Sequence, residues 1–189
     1  LSGNTNQTAC INNAIDPVVF TIASGITSVT VNPVLPNGVT ASVDATNGIV
    51  TISGTPTAAL TSTATYAITT QGSCGSVATA TITFDINPAA TITFISGTSS
   101  LNQSICQNGP IVPIQFTIGG GASGILQPIL PTGLTIARDG SGVYTISGNP
   151  TANGTFTIPI TTTGCPVTQT ITITNINSVV SISLTSATG

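Results

Sequence analysis

Charge is what this sequence has least of. Its 189 residues include one basic side chain, Arg138, and four acidic ones, Asp16, Asp44, Asp85 and Asp139, with no lysine or histidine. Charged residues make up 3% of the chain, against about 25% in ordinary soluble domains. Without a basic patch the chain has no electrostatic means of holding nucleic acid, and none of holding anionic lipid headgroups. Acid–base catalysis ordinarily needs a histidine or a tuned carboxylate pair, and a nucleophile needs an activating base. Neither is available, because the four aspartates lie far apart along the chain. The reading is therefore a non-enzymatic chain without a cofactor. Zinc is disfavoured too, since the cysteines show no CxxC spacing and no histidine completes a ligand set. No apolar run approaches the ~18 residues of a membrane span, so direct membrane insertion is not expected. Without lysine, no Lys–Asn isopeptide bond can form, and trypsin has a single target at Arg138.

Hydroxyls fill the gap that charge leaves. Thirty-seven threonines are β-branched and suit strands, with the hydroxyl facing water from the outer side of a sheet. Apolar residues reach 40% and alternate in strand-like runs, which argues against disorder.

The chain also repeats itself. Leu35-Pro36-Asn37-Gly38-Val39 leads to Ile52-Ser53-Gly54-Thr55-Pro56-Thr57, and Leu130-Pro131-Thr132-Gly133-Leu134 leads to Ile146-Ser147-Gly148-Asn149-Pro150-Thr151. The offsets are 95 (130 − 35) and 94 (146 − 52). A period of that length with turn signals at fixed places means tandem small domains. The expected copies are 1–88, lacking its first strand, and 89–178. Residues 179–189 are expected to open a following copy, because Val180-Ser181-Ile182-Ser183-Leu184 matches Ala90-Thr91-Ile92-Thr93-Phe94. A competing expectation has that terminal strand donated to a neighbouring chain. On either view the chain reads as an excerpt of a longer polypeptide.

Within a copy, strands are expected at 17–22 and 111–118, at 29–35 and 125–130, at 49–53 and 143–147, at 63–70 and 155–162, and at 77–86 and 167–176. Proline presets φ in each Leu-Pro-x-Gly turn and glycine supplies a positive φ, while Asn47-Gly48 signals a hairpin. Seven or so short strands without a helical period predict an all-β fold of tandem immunoglobulin-like sandwiches.

Four cysteines, Cys10, Cys74, Cys106 and Cys165, allow three connectivities. Cys10 and Cys106 open their copies in similar settings, and Cys74 and Cys165 each precede a copy's last strand. The repeat favours Cys10–Cys74 and Cys106–Cys165, one disulfide closing each copy on itself, with separations of 64 (74 − 10) and 59 (165 − 106). Loops of that length correspond to about 4 kcal/mol each in the chain-entropy description. An oxidising, extracellular compartment follows.

The run Leu-Pro-x-Gly-Leu/Val, then Asp and Gly, then Ile-Ser-Gly-x-Pro-Thr resembles the immunoglobulin-like repeats of large bacterial surface proteins. It looks most like repeats in giant adhesins of Bacteroidetes, such as gliding-motility adhesins. The resemblance covers both copies. It implies a secreted, cell-surface or filament-forming protein whose partners are neighbouring repeats of the same polypeptide, surface polysaccharide or like subunits.

Candidate sites are few. Asp44 and Asp139 occupy equivalent places and suggest one calcium ligand per copy; against that stands an aspartate bonding its own turn. Gly119-Gly120-Gly121 reads as a strand connection, because no lysine or helix follows to make a phosphate loop. Asn6-Gln7-Thr8, Asn102-Gln103-Ser104 and Asn153-Gly154-Thr155 match the N-glycosylation pattern, read here as chance. Tyr66 and Phe156, placed at equivalent strand positions, are expected in the core rather than stacked on sugars, as is Tyr144. The functional expectation is a spacer of an adhesin or extracellular filament. A polysaccharide- or surface-binding module, or a self-assembling fibre subunit, stands as the alternative.

Overall fold

The computed structural model describes residues 2–72 and 77–176. The chain divides into two compact units, residues 1–90 and 91–189. Cys74 and the anticipated strand within 179–189 lie outside the described residues.

In the first unit, β1 (Asn6–Cys10), β7 (Thr79–Asn87), β6 (Ala64–Gly72) and β3 (Ile26–Asn32) form one sheet in that order, and β2 (Val18–Thr21), β5 (Ile49–Gly54) and β4 (Val39–Asp44) form the other. In the second unit, β9 (Asn102–Cys106), β15 (Thr168–Ile176), β14 (Gly154–Gly164) and β11 (Ala122–Ile125) form the first sheet. Its partner orders β8 (Thr91–Phe94), β10 (Ile114–Gly119), β13 (Tyr144–Gly148) and β12 (Leu134–Arg138). The pairings correspond: Val18 lies opposite Ile52 as Ile114 lies opposite Ile146. Where β8 flanks β10, the first unit has a single bridge between Ser2 and Val19.

The alternation of isoleucine and threonine produces the two layers. On β7, Ile82, Phe84 and Ile86 are fully buried while Thr81 and Thr83 face outward. On β14 and β15, Ile158, Ile160, Ile171 and Ile173 do the same work. A period of two sends successive side chains to opposite faces, so the two inner faces meet as the core. Outside, the hydroxyls pair across strands: Thr65 with Thr83 at 3.2 Å, Thr69 with Thr79 at 3.3 Å and Thr161 with Thr168 at 2.9 Å. Cross-strand threonine pairs of this kind each contribute a few tenths of a kcal/mol, up to about 1 kcal/mol.

Some elements depart from the sequence-based expectation. The segments before the Leu-Pro-x-Gly turns are strands only in part: β3 ends at Asn32, where Pro33 has no N–H to donate, and β11 ends at Ile125. The short strands β1 and β9 were not anticipated. They pair parallel to β7 and β15, the last described strands of their units, a non-local contact that no local pattern announces.

The repeated turn motif is a backbone clasp. Gly38 has φ 87° and its carbonyl accepts the Thr55 N–H at 2.9 Å, while Asn37 O accepts the Thr57 N–H at 2.9 Å. In the second unit Gly133, with φ 96°, accepts the Asn149 N–H at 2.9 Å and Thr132 O accepts the Thr151 N–H at 3.1 Å. Gly54 and Gly148 face these glycines so closely that a Cβ on either would lie 2.1 Å from a carbonyl oxygen. Pro36, Pro56 and Pro150 are buried against the clasp, while Leu35 and Leu130 pack partly buried on the cores. Gly38→Ala and Gly133→Ala are expected to destabilise their units by about 3 kcal/mol through strain and overpacking. Gly25→Ala, with φ 88° but open space around it, should cost only about 1 kcal/mol. Urea unfolding curves of the three variants provide the comparison.

Candidate functional site

The sequence-matched polar residues are consumed within each unit. Asp44 Oδ1 accepts the N–H groups of Thr46 and Asn47, each at 3.0 Å, and Oδ2 accepts from Asn47 Nδ2 at 2.6 Å. Asp139 Oδ1 accepts from the Ser141 N–H at 3.0 Å, the Ser141 hydroxyl at 2.8 Å and the Val143 N–H at 2.8 Å. Each carboxylate therefore holds its own hairpin turn, which is the alternative weighed against calcium. Among the described residues no three His, Cys, Asp or Glu side chains cluster as a metal site would require.

Both carboxyls are held below the usual aspartate range, Asp44 chiefly by the Asn47 side chain and Asp139 chiefly by the Ser141 hydroxyl. A carboxyl depressed in the folded state stabilises above its unfolded value, near 3.9, and loses that contribution as pH falls through the folded value.

The glycosylation-like triplets turn out to contain a different device. Gln7 and Gln103 are buried. Gln7 Nε2 donates to Asn4 O at 3.0 Å and Asp16 O at 2.7 Å, and its Oε1 accepts the Asp16 N–H at 3.0 Å. Gln103 repeats this with Ser100 O, Val112 O and the Val112 N–H, all at 2.8 Å. Each amide uses both donors and its acceptor to tie the start of its unit to the segment before β2 or β10. A second matched pair closes the last hairpin. Thr70 Oγ1 accepts the Ala78 N–H at 2.9 Å, and the buried Thr162 Oγ1 accepts the Val167 N–H at 2.9 Å.

The aromatic residues separate. Tyr66 is buried, its ring centroid 5.7 Å from that of Phe84. Phe156 is not its counterpart: Tyr66 lies opposite Ile82 as Ile158 lies opposite Ile171, so the two hairpins correspond with Ile158 in the place of Tyr66. Phe156 instead lines a groove of about 740 Å³ with Leu126, Ile129, Pro131 and Pro159. Tyr144 is half-buried, stacked 5.2 Å from Phe116 with the Arg138 guanidinium 5.6 Å above its ring. Gly119-Gly120-Gly121 is the turn between β10 and β11, with Gly120 at φ 63°.

The cysteine pairing needs correction. Cys10 and Cys165 each take part in a disulfide. Cys106 ends β9 opposite Ile176 at the end of β15, whereas Cys165 precedes Thr168 at its start. Eight residues of extended strand separate those ends by ~26 Å, far beyond the ~6 Å between Cα atoms that a disulfide spans. The expected Cys106–Cys165 bond is therefore excluded by the parallel pairing of β9 with β15. The companion Cys10–Cys74 expectation involves a residue outside the described set.

No protein-family model matches the chain. The chain is 36% identical over 163 residues to a serine-rich adhesin for platelets of Staphylococcus aureus strain N315, and equally to that of strain MRSA252. The alignment takes 84% of this chain but 7% and 11% of those proteins, so the chain spans a small fraction of the relatives it matches. Among solved structures, the titin I-band fragment I67–I69 matches with TM-score 0.54 and 6% identity, over 90% of this chain and 62% of the fragment. The N-terminal eight immunoglobulin domains of Down syndrome cell adhesion molecule match with TM-score 0.53 and 16% identity, over 90% of this chain and 26% of theirs. At such identities only the architecture is shared.

Two outcomes test the site. Gln7→Ala and Gln103→Ala each remove three hydrogen bonds to partly buried backbone groups and should cost about 1–3 kcal/mol in denaturant unfolding. For the carboxylates, melting temperature should fall as pH drops below about 4, and the double variant Asp44→Asn, Asp139→Asn should flatten that fall. In strand order and architecture, the chain is an all-β protein of immunoglobulin-like β-sandwiches.

Proposed function

We propose that this chain is a structural spacer of a secreted bacterial cell-surface adhesin, holding a distant binding region away from the cell. The observation that carries the reading is the fate of the repeated chemistry. Gly38 and Gly133, Asp44 and Asp139, Gln7 and Gln103, Thr70 and Thr162 all hydrogen-bond within their own unit. Function that depended on each copy would leave some repeated polar group projecting without an internal role. Similarity to a staphylococcal serine-rich adhesin supports the cell-surface setting and a non-enzymatic role. The array of neutral hydroxyls supports it physically: a chain with 3% charged residues gives steering fields little to act on. A Bacteroidetes-type gliding adhesin is the finer form of the same proposal.

A second reading has one observation in its favour. The groove beside Phe156 carries Leu126 and Ile129 at its rim, 57% and 91% exposed, and such apolar exposure marks binding surfaces. Surface polysaccharide is the partner this reading names.

Binding of the purified chain to immobilised polysaccharides and host-like surfaces decides between them. The spacer reading expects no saturable binding from the folded, oxidised chain. Saturable binding that Phe156→Ala and Ile129→Ser reduce at least tenfold would replace it with the recognition module.

A further inference from the structure

We propose that the second unit holds a docking slot for an extended, uncharged polypeptide segment of another protein, which adds as a strand along the open edge of β14. The slot is the groove beside Phe156, and its backbone geometry takes it beyond the spacer reading. Two hydrogen bonds fix which way β14 presents its backbone. The Thr162 N–H donates to Val167 O at 3.0 Å toward β15, whereas Thr161 O accepts the Leu126 N–H at 2.8 Å on the other side. Successive residues of an antiparallel ladder alternate in this way. The N–H and C=O groups of Thr155 and Thr157, and the C=O of Pro159, therefore point away from β15. β11 covers β14 only from Gly164 to Thr162, so these groups have no backbone partner among the described residues. In the first unit the same edge is covered further, because β3 continues until Asn32 lies opposite Ala67. Since Tyr66 and Ile158 correspond, the residue in the place of Ala67 is Pro159. Proline has no N–H to give a neighbouring strand, and past Ile125 the strand β11 is not continued. The departing segment and the uncovered part of β14 together line the groove of about 740 Å³.

The chemistry of the slot names its occupant. Thr155 and Thr157 each offer a donor and an acceptor, about 7 Å apart along the strand, a repeat that another extended backbone matches. Polysaccharide hydroxyls carry no such paired N–H and C=O groups. Phe156 lies on the core-facing side of β14 with Ile158 but is only half-buried, and Leu126 and Ile129 are exposed beside it. Alternate side chains of an incoming segment thus meet apolar surface. Charge complementarity narrows the partner further. No ionisable side chain lines the groove, so a charged segment would lose water there and gain no counter-charge. A neutral segment meets no such cost.

The first unit supplies a probe. Residues 28–32, Ser-Val-Thr-Val-Asn, belong to the strand that covers this edge there, and the acetylated, amidated peptide of that sequence is uncharged. It is titrated into the whole nitrogen-15-labelled chain and followed by NMR. Saturable shifts are expected at the Thr155 and Thr157 amides, with their hydrogen exchange slowed about tenfold. Phe156→Ala should weaken binding several-fold, and so should Ile129→Ser, an exposed change that leaves the core intact. The same peptide N-methylated at every residue, which has no N–H to donate, should not bind. The proposal is overturned if the Thr155 and Thr157 amides stay unshifted up to millimolar peptide, or if the N-methylated peptide binds as well as its parent. Shifts produced by a neutral β-glucan oligosaccharide and not by the peptide would also overturn it, in favour of a sugar site.

Discussion

The last described strand of each unit holds the rest in place. β7 is hydrogen-bonded antiparallel to β6 on one side and parallel to β1 on the other, and β15 stands between β14 and β9 in the same way. From this central position each strand sends alternate side chains into the core, Ile82, Phe84 and Ile86 in one unit and Ile171 and Ile173 in the other, all without solvent exposure. Burying one such side chain is worth ~1.5–3 kcal/mol. A one-residue slip would exchange these side chains for threonines, so the apolar pattern and the ladder enforce a single register. Through that register, the parallel partner strand is carried to one end of the unit, and Cys10 or Cys106 with it.

Neutral chemistry takes over the tasks that ions perform elsewhere. The buried glutamines are the clearest case. An amide can satisfy two donors and an acceptor without the desolvation penalty of a charge, and Gln7 and Gln103 are each surrounded by two carbonyls and one N–H. The two carboxylates at hairpin turns are bonded by backbone N–H groups and neighbouring side chains. Folding of this kind owes little to ionic strength, because exposed charge pairs are the interactions that salt screens.

How much of this is legible in sequence depends on how local the cause is. The Leu-Pro-x-Gly and Ser-Gly-x-Pro turns are readable because φ at Gly38 or Gly133 is a property of a few adjacent residues. The Ile–Thr alternation of β7 and β15 is readable for the same reason. Gln7 is different: nothing in Asn-Gln-Thr marks the amide as buried, since its partners at Asp16 are nine residues away, and the triplet reads as a surface motif instead. The repetition of the glutamine at Gln103 was the signal available, matched as closely as the glycines. Phe156 shows the converse error. Its likeness to Tyr66 fails by two residues, a shift that places it beside an open groove and puts Ile158 in the core. The Cys106–Cys165 expectation failed because it depended on the parallel strand β9, the least local element of all.

Low charge also creates a hazard that the fold has to answer. Sandwiches have edge strands, and exposed edges recruit other chains unless they are blunted, most often by lysine. This chain has none. Its edges are interrupted by other means. β3 and β11 each carry an irregularity in register, between Ile26 and Ser28 and between Ala122 and Gly124, and each is followed within a few residues by proline, Pro33 or Pro128. On the opposite sheets the outermost strands end in two of the chain's few charges, Asp44 on β4 and Arg138 on β12. Scarce charge is thus placed where a stray strand would otherwise extend the sheet at β4 and β12, and bulges and prolines interrupt β3 and β11. A surface made of threonine can remain unattractive to its neighbours on those terms.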